Sequence, residues 1–177
     1  MEKDYNIKTL FFFDFDDTLI ESITPENGVS LYKKLTGKRL QLRKPWEWWD
    51  KEESLDVIFS FSKPKKKIQN IQKHTYLLSQ KPNSTLKTIL LTARKHYLSD
   101  KIKKVLNKFN LYFNHYSFKD KNRIKKAEII ENYYLNIYPN TEKIIIFDDR
   151  DKEIIRFTQL KTRLLKKGIE TKIIHVK

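Results

Sequence analysis

Residues 10–18 read LFFFDFDDT, a short apolar run followed by three carboxylates and a threonine. The apolar run indicates a strand, and the acidic residues begin where that strand would end. Like charges this close repel one another, so a fold that holds Asp14, Asp16 and Asp17 together leaves them in water or gives them a cation. The stretch therefore predicts a buried strand whose carboxyl end carries an acidic site.

Length and composition limit the architecture and the chemistry. A chain of 177 residues fits one α/β domain with a full core, and we predict a single domain over residues 1–177. Cysteine is absent, which excludes disulfides, thiolate metal sites and a cysteine nucleophile. Any metal must therefore be held by oxygen or histidine.

Localisation and assembly are expectations from the same features. No N-terminal stretch resembles a signal peptide, and no run approaches the roughly 18 apolar residues of a membrane span. We expect an intracellular, cytoplasmic protein, with the nucleus as an alternative, and no membrane partner. We also expect a monomer, and the sequence indicates no particular protein partner.

The charge of the chain indicates a polyanionic partner. The formal net charge is +15 and the isoelectric point lies near 9.7, and nucleic acid is the commonest partner of such proteins. The composition of an AT-rich genome, rich in lysine, isoleucine and asparagine, is the alternative explanation. We expect a nucleic-acid end as the partner, with DNA and RNA both open.

Strand and helix patterns alternate along the second half of the chain. Apolar runs predict strands at Thr9–Phe13, Thr88–Leu91, Tyr112–Phe118, Lys143–Phe147 and Lys172–Val176. Helical apolar stripes run from Tyr97 to Phe109, from Ile124 to Leu135 and from Ile154 to Leu165. This order predicts a Rossmann-like parallel sheet with helices on both faces.

Residues 21–86 interrupt that alternation after the first strand. They contain four of the five prolines and all three tryptophans, with short helices expected at 27–36, 53–61 and 66–79. In an open parallel sheet, ligands bind beyond the carboxyl ends of the strands, and the segment starts at that edge. We therefore predict a small, mainly helical insertion that acts as a partial cap.

Polar side chains follow three of the predicted strands. Asp14, Asp16 and Asp17 follow the first, Thr92 and Arg94 the second, and Asp148 and Asp149 the fourth. A single acidic pair commonly caps a helix, but carboxylates at successive strand ends suit Mg²⁺ with a phosphate substrate. One aspartate can attack phosphorus, another can transfer protons, and a hydroxyl and a cation can hold the phosphoryl oxygens.

These stretches resemble motifs of the haloacid dehalogenase-like (HAD) superfamily. FFFDFDDTL is similar to its first motif, LLTAR to its second and IIIFDDR to its fourth. The resemblance implies Asp14 as nucleophile, Asp16 as the acid/base that also offers its backbone carbonyl to Mg²⁺, and Thr92 as the phosphoryl-binding hydroxyl. It also implies Asp149 as a direct metal ligand with Asp148 beside it.

The third HAD motif is a lysine, and here several positions remain open. Lys119, Lys121, Lys125 and Lys126 all lie in SFKDKNRIKKAEII. A helix that starts near Asn122 would place the last two in its first turn, near the sheet edge. We choose Lys125 as the catalytic lysine and Lys126 as the second choice.

A narrower resemblance covers more of the chain. A Thr-Pro…Asn stretch, the pair Trp48–Trp49 followed by Ser-Leu, and Asp148–Arg150 resemble the Swiss Army Knife RNA-repair branch of HAD phosphatases. The chain has Ala93 where that branch usually has glycine, and Ile124 where it usually has an aromatic residue. We predict substrate contacts from six residues: Asp17, Thr18, Arg94, Lys126, Arg150 and Trp49, the last by stacking on a base.

The predicted function is a Mg²⁺-dependent phosphoric monoester hydrolase that forms an aspartyl-phosphate. We expect it to remove a terminal phosphate from a polynucleotide during repair or processing, and a 3′-phosphate is the substrate that we favour. The alternatives are a nucleotidase or phosphoprotein phosphatase of the same fold, and a non-catalytic basic subunit that binds nucleic acid.

Overall fold

A parallel β-sheet forms the centre of the protein. The computed structural model describes residues 2–119 and 124–177. Within those residues, five strands lie in the order β3-β2-β1-β4-β5, and every neighbouring pair is parallel. Their bounds are β1 Thr9–Phe13, β2 Leu86–Lys95, β3 His115–Lys119, β4 Lys143–Asp148 and β5 Glu170–His175. The predicted Rossmann-like sheet is confirmed.

β1 occupies the middle because its side chains suit burial on both faces of the sheet. Phe12 pairs with Ile89 of β2 and Ile146 of β4, and all three contribute to the core on one face. Phe13 points to the opposite face, where its ring stacks on Phe147 with 4.6 Å between ring centroids. The alternation of side chains along a strand thus supplies two cores, one under each layer of helices.

Seven α-helices and three short helical segments connect the described strands. The α-helices are α1 Pro25–Thr36, α2 Glu52–Phe61, α3 Lys66–Ser79, α4 Ser99–Lys108, α5 Lys126–Ile129, α6 Leu135–Ile137 and α7 Asp151–Leu165. The shorter segments are the 3-10 turns Pro45–Asp50 and His96–Leu98 and the π-helix Ile130–Tyr134. Among the described residues, we find no helix with the length and apolar character needed to cross a bilayer.

Several element bounds differ from the sequence predictions. β2 extends to Lys95, so Thr92 and Arg94 lie within the strand and not after it. β3 begins at His115, and Tyr112 precedes it. The helix expected over the stripe from Ile124 to Leu135 is divided by the π-helix, and its expected start near Asn122 lies outside the described residues.

The segment between β1 and β2 forms α1, the 3-10 turn Pro45–Asp50, which we call the Trp turn, then α2 and α3. Trp48 fixes this arrangement, because it is fully buried and its indole N–H donates to the Ile23 carbonyl at 2.9 Å. α1 passes so close to its ring that a Cβ on Gly28 would lie 2.2 Å from Trp48 Cζ2. α3 packs on β2, whereas α1, the Trp turn and α2 pack together.

The Trp turn is fastened to the carboxyl end of β2. Arg94 donates from Nη1 to the Trp49 carbonyl at 2.8 Å, and Lys95 forms an ion pair with Asp50 at 2.9 Å. The Tyr97 hydroxyl also donates to the Asp50 carbonyl. These contacts place the turn beside the sheet edge where the predicted site residues lie.

Candidate active site

Three carboxylates converge at the carboxyl ends of β1 and β4. Asp14 continues the sheet ladder, with its backbone N–H donating to the Phe147 carbonyl at 3.0 Å, and its side chain is 3% exposed. Asp148 ends β4, and Asp149 follows it. Each of the three offers a carboxylate oxygen within 4.8 Å of the other two. Parallel strands in register thus bring acidic residues from distant parts of the sequence together.

Lys126 lies between two of these carboxylates. Its Nζ is 2.8 Å from Asp14 Oδ1 and donates to Asp148 Oδ2 at 2.7 Å. Burial alone would lower the pKa of Lys126, but the charges of Asp14 and Asp148 and the hydrogen bonds to them raise it, so the amine stays protonated. The first turn of α5 therefore brings a buried cation to the acidic cluster.

Lys125, our first choice from the sequence, lies elsewhere. It precedes α5 as the N-cap residue, its side chain is exposed, and its ammonium pairs with Glu128 at 3.3 Å. The structure thus reverses our order of preference, because the first turn of α5 directs Lys126 inward and leaves Lys125 on the surface. Lys121 lies outside the described residues.

The acidic cluster has the donor set of a divalent-cation site. Burial, and to a lesser extent Asp148 and Asp16, raise the pKa of Asp14 to about 8 although Lys126 opposes them. Asp14 Oδ1 is buried and lies 2.8 Å from the Lys126 ammonium. The carboxylate oxygens of Asp14, Asp148 and Asp149, which lie within 4.8 Å of one another, are the kind of ligand that Mg²⁺ prefers.

Asp16 is held by a two-pronged contact with Arg94. Arg94 Nε donates to Asp16 Oδ2 and Nη2 to Oδ1, each at 2.8 Å, and the Ser22 hydroxyl donates to Oδ1 at 2.9 Å. Burial acts to raise the pKa of Asp16, but the charge of Arg94 and these hydrogen bonds lower it overall. The arrangement fixes the carboxylate two residues from Asp14.

Arg94 has few donors left for a substrate. Besides Asp16, it donates from Nη1 to the Trp49 carbonyl and to Ser54 Oγ at 2.7 Å, so four of its five N–H groups contact the protein. Its side chain is 1% exposed. The residue that we predicted to bind substrate thus connects Asp16 to the Trp turn and α2.

The other predicted site residues surround the cluster in different roles. Thr92 is buried, and its hydroxyl accepts from the Arg94 backbone N–H at 3.1 Å. The Thr18 hydroxyl donates to Asp149 Oδ1 at 3.4 Å. Asp17 adopts a positive φ of 51°, and its carboxylate accepts from the Ser22 backbone N–H at 2.8 Å. Thr18 and Asp17 therefore hold the loop after β1 in shape.

A cleft of about 300 Å³ opens above these groups. Asp14, Asp16 and Asp149 lie along it, and Trp49 and the exposed Arg150 also line it. Trp49 is half-buried, with the Arg94 guanidinium 5.1 Å from its ring centroid. The cleft is therefore lined by carboxylates beside the cationic side chains of Arg94 and Arg150.

Comparison with known protein families gives one match over most of the chain. The sequence model described as "HAD domain family 1 in Swiss Army Knife RNA repair proteins" matches residues 24–177. The chain belongs to this family. The resemblance that we inferred from the motifs is confirmed, and the chain is an enzyme of the HAD phosphatase type. The match starts after Asp14, so the placement of the first motif comes from the structure.

Solved structures with a similar fold include chains of RNA-repair assemblies and a protein assigned as a beta-phosphoglucomutase. A chain of the Pnkp1/Rnl/Hen1 RNA repair complex matches with a TM-score of 0.56 and 16% identity over 99% of this chain and 45% of its own. A second structure of the Pnkp1/Rnl/Hen1 complex matches with a TM-score of 0.55 and 14% identity, over 99% of this chain and 47% of its own. A protein assigned as a beta-phosphoglucomutase from Thermotoga maritima matches with a TM-score of 0.55 and 14% identity, over 96% of this chain and 94% of its own.

These likenesses are structural. The Swiss Army Knife HAD chain described here spans about half the length of the first two of those chains. Comparison with curated proteins found no match. At these identities the solved structures support the HAD fold and say nothing further about activity.

Sequence reasoning missed three residues that shape this HAD site. Ser22 and Ser54 both hold the Asp16–Arg94 pair, although only Ser54 belongs to a stretch that we had singled out. Trp46 was not assigned a role, yet it lines the cleft and is 60% exposed. The sequence could not tell the three tryptophans apart, because their burial depends on how the 3-10 turn packs.

Proposed function

We propose that the protein is a Mg²⁺-dependent phosphatase that removes a terminal 3′-phosphate from a polynucleotide through an aspartyl-phosphate on Asp14. The observation that carries the proposal is the placement of Asp14 against Lys126 and Asp149, with Asp16 held nearby by Arg94. A carboxylate nucleophile, a cation for the phosphoryl oxygens and a separate proton-transfer group are the parts that such a reaction requires.

The proposed reaction has two balanced steps. Asp14 attacks phosphorus, the bond from phosphorus to the sugar oxygen breaks, and Asp16 gives its proton to that oxygen. Asp16 then takes a proton from water as the water attacks phosphorus, which releases inorganic phosphate and frees Asp14. Arg94 favours the carboxylate form of Asp16 needed in the second step, and the negative charge of the incoming phosphate favours the protonated form needed in the first.

The remaining residues receive roles from the same geometry. Lys126 and the Thr92 hydroxyl would hold the phosphoryl oxygens, on which negative charge is spread during transfer. Asp14, Asp149 and the backbone carbonyl of Asp16 would hold Mg²⁺, and Asp148 would keep Lys126 in place. When bound, the ion would supply charge neutralisation between the carboxylates and the phosphate.

A polynucleotide substrate is favoured by the openness of the cleft and by the charge of the chain. Between Thr92 and Lys126, the described residues form little beyond α4 and β3, so cover over the site has to come from residues 21–86, which we propose as a partial cap. A partly covered site suits a substrate that supplies some of its own enclosure. The net charge of +15 and the family match support the same substrate class.

A substrate panel tests the proposal. We expect kcat/KM for a 3′-phosphorylated oligonucleotide to exceed that for the matching nucleoside 3′-monophosphate by at least about tenfold at low salt, and the advantage to shrink as salt rises. Equal efficiency on the mononucleotide at all salt concentrations would favour a nucleotidase instead. Preference for a 5′-phosphorylated strand or for a phosphopeptide would contradict the assigned substrate, and binding of oligonucleotides without phosphate release from any substrate would favour the non-catalytic alternative.

A further inference from the structure

One exposed aromatic ring lies at the edge of the catalytic cleft. Trp46 lines the cleft together with Asp14 and Asp149 and is 60% exposed. Tryptophan is enriched at binding interfaces, because its ring is largely apolar and its N–H is polar. The Trp turn holds the ring there, because the neighbouring Trp48 is buried and the carbonyl of Trp49 is bound by Arg94.

The three tryptophans of the Trp turn have different freedom to meet a ligand. Trp48 is enclosed in the insertion and donates to Ile23. Trp49 is half-buried and packs over the Arg94 guanidinium. Trp46 is thus the ring best placed to receive a planar group from the cleft, although we had predicted Trp49 for that contact.

A basic groove adjoins Trp46, and none of the residues that line it also lines the catalytic cleft. Lys44 Nζ lies 4.7 Å from the centroid of the Trp46 ring, and Lys44 also lines a shallow groove with Arg39 and Arg43. All three cations are exposed, and none forms an ion pair with a carboxylate among residues 2–119 and 124–177. Glu26 is the one carboxylate that lines the groove, so its net charge is positive.

The order of these features matches the order of groups in a single strand that ends in a phosphate. The phosphate comes first, then the base of the terminal nucleotide, then the phosphates of the nucleotides that precede it. Trp46 lines the cleft with the catalytic carboxylates and contacts Lys44, which lines the groove, so the cleft and the groove meet at the Trp46 ring. Aromatic platforms next to basic grooves are the usual means of binding single strands without reading their sequence.

We propose that Trp46 stacks on the base of the terminal nucleotide and that Arg39, Arg43 and Lys44 bind the preceding phosphates of the same strand. The ligand is a single-stranded polynucleotide end, and its bases are bound without sequence selection. This inference rests on the proposed function, because it assumes that the terminal phosphate occupies the catalytic cleft.

Binding of an oligonucleotide tests the proposal without turnover. In Asp14→Asn protein, we expect the additional change Trp46→Ala to raise the Kd of a fluorescently labelled 3′-phosphorylated oligonucleotide by between about fivefold and 140-fold, which corresponds to about 1–3 kcal/mol. Trp46→Phe should restore most of the affinity, because phenylalanine keeps a stacking face. An equal Kd for the Trp46→Ala and parent proteins would overturn the base contact.

The groove is tested by its salt dependence. Replacing Arg39, Arg43 and Lys44 with alanine should reduce the slope of log K against log salt by about 0.7 for each phosphate that the protein no longer neutralises. The matched control replaces Lys161, Lys166 and Lys172, three exposed lysines at the opposite edge of the sheet, and removes the same charge. A similar change in slope for both triple variants would contradict binding of the strand in this groove. It would show that only the net charge of the protein affects the binding of the oligonucleotide.

Turnover separates this inference from the proposed function. In otherwise wild-type protein, Trp46→Ala should lower kcat/KM for the oligonucleotide more than for para-nitrophenyl phosphate, whose single ring is attached directly to the phosphate. Failure of the parent protein to release phosphate from either substrate would contradict the proposed function, while the binding measurements above would still decide the role of Trp46. An equal loss on both substrates would contradict a base-stacking role.

Discussion

Lys126 contacts both Asp14 and Asp148 from the first turn of α5. A single substitution at Lys126 therefore removes the buried positive charge from the site. We expect Lys126→Met to lower kcat/KM for any phosphate ester by at least about 100-fold, because the phosphoryl oxygens and Asp14 lose their cation. Phosphate release measures the change. Because an unpaired buried carboxylate destabilises the fold, circular dichroism must accompany the assay, and Lys126→Arg retains the charge if the methionine variant unfolds.

Lys125 provides the matched control for that experiment. It is the adjacent residue and has the same side chain, but it is exposed and pairs only with Glu128 among the described residues. We expect Lys125→Met to keep a rate close to that of the wild-type protein, because the Lys125 ammonium pairs with Glu128 on the surface and the cluster carboxylates pair with Lys126. A large loss in Lys125→Met with a normal rate in Lys126→Met would show that our first choice from the sequence was right.

We predict that Arg94 acts through Asp16, and this role can be distinguished from substrate binding. Lysine cannot reproduce the paired hydrogen bonds that Arg94 makes to both oxygens of Asp16. We expect Arg94→Lys to lower kcat by about 10- to 100-fold on large and small substrates alike, with little change in KM. A loss confined to the KM of the oligonucleotide would instead support the substrate contact predicted from the sequence.

Single residues differ in how far the sequence could place them. Asp14, Asp148 and Asp149 were predictable as a cluster because each comes at or directly after the end of a buried strand, and parallel register brings such ends together. The choice between Lys125 and Lys126 depends on the rotation of the first turn of α5, which the sequence does not determine. The burial of Arg94 depends on Ser54 and Trp49, which come from an insertion whose packing has no periodic pattern.

At the scale of elements, α1 packs against the Trp turn at Gly28, a position where a larger residue would clash with the Trp48 ring. Because a Cβ on Gly28 would lie 2.2 Å from the Trp48 ring, we expect Gly28→Ala to reduce the free energy of unfolding by about 1–3 kcal/mol. Chemical denaturation measures the change. Ser30→Ala, an exposed position in the same helix, is the control and should be neutral or slightly stabilising because alanine favours helix. Equal stability of the two variants would contradict the packing of α1 on Trp48.

The bounds of the strands were predicted well where a long apolar run marks a buried strand, and less well at the edge of the sheet. β1 and β4 match their apolar runs because central parallel strands are buried on both faces. β3 lies at the sheet edge and its predicted start was three residues early. In α7, Phe157, Leu160 and Leu164 are buried, but Ile155 and Leu165 of the predicted stripe are exposed, because the helix presents a narrower face to the sheet than the stripe implied.

At the scale of the whole molecule, the acidic cluster should respond to divalent cations in both stability and activity. We expect Mg²⁺ to raise the melting temperature, because an ion that binds only the folded state stabilises it, and EDTA to abolish phosphate release. Mn²⁺ should replace Mg²⁺, whereas Ca²⁺ should restore little activity because it forms longer bonds with more ligands.

Two aspartates near the start of α7 provide the control for the metal prediction. Asp149→Asn should remove the Mg²⁺-dependent increase in melting temperature, since Asp149 belongs to the cluster. Asp151→Asn should keep the increase, because Asp151 is exposed and lies outside the cluster. Phosphate release that is equal with and without EDTA would contradict the assignment of the carboxylates to a metal site.

The most direct test of the proposed chemistry is a search for phosphate on Asp14 during turnover. Wild-type protein is mixed with Mg²⁺ and an oligonucleotide that carries a radiolabelled 3′-phosphate, quenched in acid and digested. We predict label on the peptide that contains Asp14 and, in Asp14→Asn protein, neither label nor phosphate release, because the amide cannot form the aspartyl-phosphate. Label on another residue, or phosphate release by Asp14→Asn at the wild-type rate, would contradict the assignment of Asp14 as the nucleophile.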